Sequence, residues 1–267
     1  MFINNINPIL FNWGIINIRW YGLFLAIGIG LSVWIITKLF KQNKLPTNLA
    51  FDLCTWLIVG GLIGARLGEI LFYEPAYYFS HPLEMIMINH GGLSSHGMTI
   101  GLIITFFLFI RLNPSPFRRG TGGEVFWKTI LDLVIIPIPL LASFIRIGNF
   151  FNSEIVGKAT NLPWGVYFPN YELNPILRHP SQIYEALLAL TIFYILYSIY
   201  KKYQNYLPNL FIFHSFLFLY FTSRFAIEFV KEFPTYFGLT TGQWLSVPFI
   251  IWGVWWFVNF KVKKQTK

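Results

Sequence analysis

The sequence predicts an all-α polytopic membrane protein of seven transmembrane helices. Three observations predict it. Of 267 residues, 55% are hydrophobic and 20% aromatic, only 12% are charged, and mean hydropathy is +0.55; a typical soluble domain carries about 25% charged residues. Apolar residues gather into runs near the ~20 residues a spanning helix needs. Lys and Arg fall between those runs and not in one patch, so the net charge of +9 reads as a membrane signature and not a nucleic-acid one.

The seven runs are Ile18–Phe40, Phe51–Tyr73, Gly97–Leu112, Ile130–Ile147, Tyr184–Tyr200, Leu210–Val230 and Trp244–Phe260. The third and fifth are short and extend into their flanks. The runs are continuous, whereas barrel strands would alternate, so helices are expected. The start lacks a basic n-region and a small-residue cleavage site, so the first run reads as retained. With the N-terminus outside, the inner segments hold Lys38, Lys41, Lys44, Arg111, Arg118, Arg119, Lys128, Lys201, Lys202, Lys261, Lys263, Lys264 and Lys267. The outer segments hold Arg19, Lys158, Arg178 and Lys231. The positive-inside rule then places the C-terminus in the cytoplasm. No repeat or linker divides residues 1–267, which read as one membrane-embedded domain with an outer-face loop region at 148–183. That loop is nearly uncharged, and Trp164, Tyr167 and Tyr171 suit the water–lipid boundary.

Ionisable groups at membrane depth cost a few kcal/mol unless something compensates them. Arg66 and Glu69 lie three apart, and Arg224 and Glu228 four apart, so each pair shares a helix face and can be a structural ion pair. Tyr220 lies one turn before Arg224. The densest polar cluster runs from Arg146 to Gly157 and carries Asn149, Asn152 and Glu154. An arginine fork matches phosphate geometry. His96 sits among glycines at a helix start, where backbone amides favour an anion. The segment Arg178-His179-Pro180-Ser181-Gln182-Ile183-Tyr184-Glu185 opens another helix, with Pro180 suited to its start. One cysteine, Cys54, allows no internal disulfide and reads as a core residue. No H-E-x-x-H pattern appears, and no metal site is expected. A transporter lacks support because no inverted repeat is visible. An intramembrane protease lacks a well-placed aspartate pair, since Asp52 and Asp132 lie near the inner ends of their runs. A lipid-binding scaffold would bind phospholipid and turn nothing over.

These blocks, in this order, resemble the bacterial prolipoprotein diacylglyceryl transferase family over nearly the whole chain. They are Arg19-Trp20-Tyr21-Gly22-Leu23, Gly64-Ala65-Arg66-Leu67-Gly68, Gly91–Gly101, Arg146–Gly157, His179–Glu185, Tyr220-x-x-x-Arg224-x-x-x-Glu228 and Gly242-Gln243-x-Leu245-Ser246-x-Pro248. The family signature reads G-R-x-G-N-F-x-N-x-E-x-x-G; Ile145 replaces its leading Gly, while Arg146, Asn149, Asn152, Glu154 and Gly157 match. The glycine-rich stretch often reads H-G-G-x-x-F-H-G-G; Ser95 and Met98 differ, and His96 matches. Lys231 stands where the family usually carries Arg.

The resemblance implies transfer of a diacylglyceryl group from phosphatidylglycerol to the lipobox cysteine of a preprolipoprotein signal peptide, at the bacterial inner membrane. A thioether and glycerol-1-phosphate result, with no cofactor, metal or nucleic acid. It implies Arg146 and Arg224 as a headgroup clamp, and Asn149, Asn152 and Glu154 as ordering groups. His96 would be base or leaving-group donor. Tyr21 and Tyr220 would line the site, His179 would position the outer loop, and Gly157 and Glu228 would complete substrate binding.

Overall fold

The computed structural model describes residues 2–14, 16–87, 91–113 and 123–259. His90, Arg118, Arg119, Phe260, Lys261, Lys263, Lys264 and Lys267, which entered the motif, span and orientation arguments, lie outside them. The main helices are α1 (Trp20–Gln42), α2 (Thr47–Gly68), α3 (Pro75–Ser80), α4 (Ser95–Leu112), α5 (Gly123–Ile135), α6 (Ile138–Phe151), α7 (Ser181–Tyr203), α8 (Phe211–Ile227) and α9 (Thr241–Asn259). Five segments are long and apolar enough to cross a membrane: Trp20–Gln42, Thr47–Tyr73, Ser95–Leu112, Phe126–Phe151 and Ser181–Tyr203. This is the helical, multi-pass architecture expected of a polytopic membrane protein.

One expected run differs in detail. The fourth is broken at Pro137 into α5 and α6, because proline cannot donate to the carbonyl a turn earlier. Between α6, which continues to Phe151, and α7, which begins at Ser181, lies the longest segment that is not helical among the described residues. That loop also carries strands. Val166–Tyr167 pairs in parallel with Phe2–Ile3 and antiparallel with Leu177–Arg178. Under it, Val156, Val166 and Phe168 form a small core with Phe150. The segment before α1 is a hairpin of Ile9–Trp13 with Ile16–Arg19. These short strands lack an alternating pattern long enough to read from sequence.

The chain divides into two compact units, Met1–Ile36 with Lys128–Lys267, and Thr37–Trp127. In the second unit, α2 packs on α4 through glycines. A Cβ on Gly64 would meet the Gly97 carbonyl oxygen at 2.5 Å, and one on Gly101 would meet that of Gly60 at 2.4 Å. Small residues let backbones touch where lipid offers no hydrophobic drive to pack. In the first unit, the Asp132 carboxylate accepts from the amides of Leu210 (2.6 Å) and Phe213 (2.8 Å), capping α8. Cys54 is buried, as expected.

Candidate functional site

In the first unit, a chain of polar side chains starts on the last turns of α6. Arg146 and Asn149, three apart, meet as their spacing requires: Arg146 Nη1 donates to Asn149 Oδ1 at 3.3 Å. Asn149, buried, donates through Nδ2 to Glu154 Oε2 at 3.0 Å. Asn152 donates to Glu154 Oε1, also at 3.0 Å. The signature motif is therefore a helix end whose two asparagines hold one carboxylate. The segment after it is pinned from α7. Gln182 Nε2 donates to the Glu154 carbonyl at 2.5 Å, and Ser181 Oγ to the Ile155 carbonyl at 2.8 Å.

The helix-spacing argument for Arg224 with Glu228 is overturned. Glu228 is buried and accepts from Thr240 Oγ1 at 2.8 Å, with Lys231 Nζ at 3.9 Å. Glu228 keeps its backbone bond to the Arg224 carbonyl, but its carboxylate is taken by Thr240 and Lys231 and not by the Arg224 guanidinium. Arg224 makes no hydrogen bond or ion pair among the described residues and is half-buried. Arg66 and Glu69 are not an ion pair either. Arg66 is buried and donates through Nε to Met85 O (3.0 Å), through Nη1 to Gly91 O (2.6 Å), Gly92 O (2.9 Å) and Tyr78 Oη (3.2 Å), and through Nη2 to Glu84 O and Met87 O. Five N–H donors in a fixed fork suit a ring of loop carbonyls better than one carboxylate.

Glu185 is the residue that motif reading missed. Its Oε2 lies 2.7 Å from Arg146 Nε, and its Oε1 2.6 Å from Lys231 Nζ. Lys231 is 3% exposed. Burial pushes its ammonium pKa down, and the charge of Glu185 pulls the other way. One signal was available: Glu185 lies a turn beyond Ser181, in the block that opens with Arg178 and His179, but its partners sit on α6 and in the extended segment after α8, out of reach of spacing rules.

Tyr21, Gly157 and His179 lie close to this cluster. Gly148 lets Tyr21 approach α6, since a Cβ there would meet Tyr21 Cδ2 at 2.9 Å. Gly157 is required by a crossing of chains: its amide donates to the His179 carbonyl at 3.0 Å, and a Cβ would meet that oxygen at 2.7 Å and Val230 O at 2.8 Å. His179 Nδ1 lies 3.3 Å from Tyr184 Oη, which accepts from Trp164 Nε1 at 2.8 Å. Tyr220 stacks on Phe216 and makes no side-chain hydrogen bond among the described residues.

In the second unit, Ser94 caps α4, its Oγ accepting from the Gly97 amide at 3.2 Å. His96 is exposed in the first turn, with Nδ1 2.9 Å from Tyr73 Oη.

Comparison with known proteins agrees with the motif reading. The family model described as prolipoprotein diacylglyceryl transferase matches residues 8–259. A phosphatidylglycerol–prolipoprotein diacylglyceryl transferase of Tolumonas auensis is 37% identical over 254 residues, covering 94% of each chain. One of Bacteroides fragilis is 37% identical over 98% of this chain and 96% of its own. Another, of Chloroherpeton thalassium, is 37% identical over 94% of this chain and 91% of its own. With the family model spanning almost all of it, this chain belongs to the prolipoprotein diacylglyceryl transferase family.

Proposed function

We propose that this protein transfers the diacylglyceryl group of phosphatidylglycerol to the lipobox cysteine thiol of preprolipoproteins, the first step of lipoprotein maturation. It works in the bacterial inner membrane as one transferase domain. Family membership carries the reaction class. The observation that carries the site is the unequal state of two guanidiniums: Arg146 is tied by Glu185, and Arg224 is without a protein partner among the described residues.

In our reading α8 and α9 are also spans, making seven, with the N-terminus outside and the C-terminus in the cytoplasm. Apart from α1, α2, α4, the α5–α6 pair and α7, these two are the other long apolar helices among the described residues. The positive-inside distribution of Lys and Arg supports that orientation.

The chemistry is displacement at carbon. The substrate thiol loses its proton, sulfur bonds to the glycerol carbon, and the carbon–oxygen bond to phosphate breaks. Glycerol-1-phosphate leaves. The nucleophile is the substrate's thiolate, from a thiol of ordinary pKa near 8.5, so the enzyme needs no cysteine of its own. What the protein must supply is charge for the leaving phosphate and positioning of two membrane-bound substrates. Arg146 and Arg224 clamp the phosphate. Asn149, Asn152 and Glu154 order the glycerol and the following loop, with Gly157 and Glu228 shaping the binding surface. Tyr21 and Tyr220 line the site, and His179 holds the outer loop. His96 handles the proton, as base or as donor to the leaving group. The test is purified protein with phosphatidylglycerol and a lipobox peptide, read by mass for a thioether adduct. Peptide recovered unmodified would sink the assignment.

A further inference from the structure

His96 is held by more of its unit than its exposure suggests. α2 and α4 are at backbone contact where one ends and the other begins: a Cβ on Gly97 would meet Gly68 Cα at 2.7 Å, and one on Gly68 would meet Gly97 Cα at 2.6 Å. The Ser94 amide donates to the Ala65 carbonyl at 3.0 Å, tying the approach to α4 onto α2. Arg66 closes the preceding loop through the carbonyls of Gly91 and Gly92. Beyond Gly68, α2 does not continue as an α-helix. Glu69–Tyr73 is a π-helical turn, with the Glu74 amide donating to the Glu69 carbonyl at 3.2 Å. Such turns admit one extra residue and re-aim the side chains around them. Tyr73 is thereby set against His96, Oη to Nδ1 at 2.9 Å.

A phenol is a stronger proton donor than a neutral imidazole N–H, and an imidazole nitrogen accepts better than a phenol oxygen. The favoured arrangement is therefore Tyr73 O–H donating to Nδ1, which leaves the proton of neutral His96 on Nε2. We infer that Tyr73 is a positioning residue that fixes His96 in its Nε2–H tautomer, so that His96 offers a hydrogen-bond donor and not a base at Nε2. That suits a donor to the leaving group and not a base that takes the thiol proton. The inference rests on the reading of His96 as a participant in the transfer reaction, and it decides between the two roles left open there.

Nitrogen-15 NMR of histidine-labelled protein in detergent, with the His96 resonances assigned through H96Q, reads the tautomer without reference to turnover. The expected result is His96 Nδ1 in the unprotonated range and Nε2 in the protonated range. In Tyr73→Phe the two forms should mix, with kcat falling about tenfold, the worth of one hydrogen bond, and KM for phosphatidylglycerol unchanged. Wild-type His96 protonated at Nδ1, or a tautomer unmoved by Y73F, would overturn the inference. If instead H96Q keeps the full transfer rate, it is the participation of His96 in the reaction that fails, whatever the tautomer.

Discussion

Glu185 grips Arg146 at Nε, 2.7 Å away, and not at the fork's far end. Nη1 keeps a long bond to Asn149, and Nη2 has no partner among the described residues. The carboxylate thus orients the guanidinium and leaves its terminal N–H groups largely without protein partners, the paired donors that the proposed phosphate clamp requires. The same carboxylate holds Lys231 through its other oxygen.

Glu185→Gln should therefore harm both stability and rate. Removing one member of a buried ion cluster leaves Arg146 without an acidic partner and Lys231 with only Glu228, 3.9 Å away, a cost of about 3 kcal/mol. Thermal unfolding in detergent should fall, and thioether formation should drop at least tenfold even at temperatures where the variant stays folded. A variant with unchanged melting and rate would mean that Arg146 is aimed by something other than Glu185.

Arg224 predicts the opposite pattern. Its side chain has no hydrogen bond or ion pair to lose among the described residues, so Arg224→Gln should change stability by less than about 0.5 kcal/mol. If it meets the lipid phosphate, KM for phosphatidylglycerol should rise at least tenfold. For Arg146, Lys should fail as a replacement, because a point charge cannot reproduce a fork. Arg146→Lys should insert normally and transfer nothing.

The helical, multi-pass character was plain in the run lengths, because bilayer thickness fixes the length of a span. The Arg146–Asn149 contact was legible too, since both lie on one helix face. What spacing suggested wrongly were the two ion pairs. The Glu228 carboxylate is held by Thr240 and Lys231, beyond its own helix, and Arg66 faces loop carbonyls whose identity no side-chain pattern announces. The contacts of Glu185, Lys231 and Tyr73 were out of reach for another reason. Each acts across elements distant in sequence, or through a π-helical turn that leaves no composition signal.

The α2–α4 glycine contact gives a test of the second unit. Gly97→Ala would place a Cβ 2.3 Å from the Gly64 carbonyl oxygen, so the helices must separate. Overpacking of this kind costs about 1–3 kcal/mol. Because Gly97 follows His96, the separation should also lengthen the Tyr73–His96 bond. Transfer should fall more than stability alone explains, measured as rate per folded molecule. Met98→Ala, on the same helix but 39% exposed, should leave both nearly unchanged.

The segment between α6 and α7 carries a clasp built on Arg178. Arg178 is buried and bonds Glu172 twice, Nε to Oε1 at 2.9 Å and Nη2 to Oε2 at 2.8 Å; it also reaches Glu232 at 2.6 Å and the Gly157 carbonyl at 3.2 Å. The hydrogen bonds from Arg178 hold the Glu172 carboxyl below its usual range. A carboxylate with a depressed folded pKa adds stability above its unfolded value, near 4.3, and that contribution is lost as pH falls through the folded one. The segment Ser153–Arg178 should therefore become protease-sensitive below about pH 4, before the spanning helices unfold. In Glu172→Gln the loop should already be sensitive at pH 7, and the acid step should shrink. An acid step of full size in that variant would assign the sensitivity to another carboxylate.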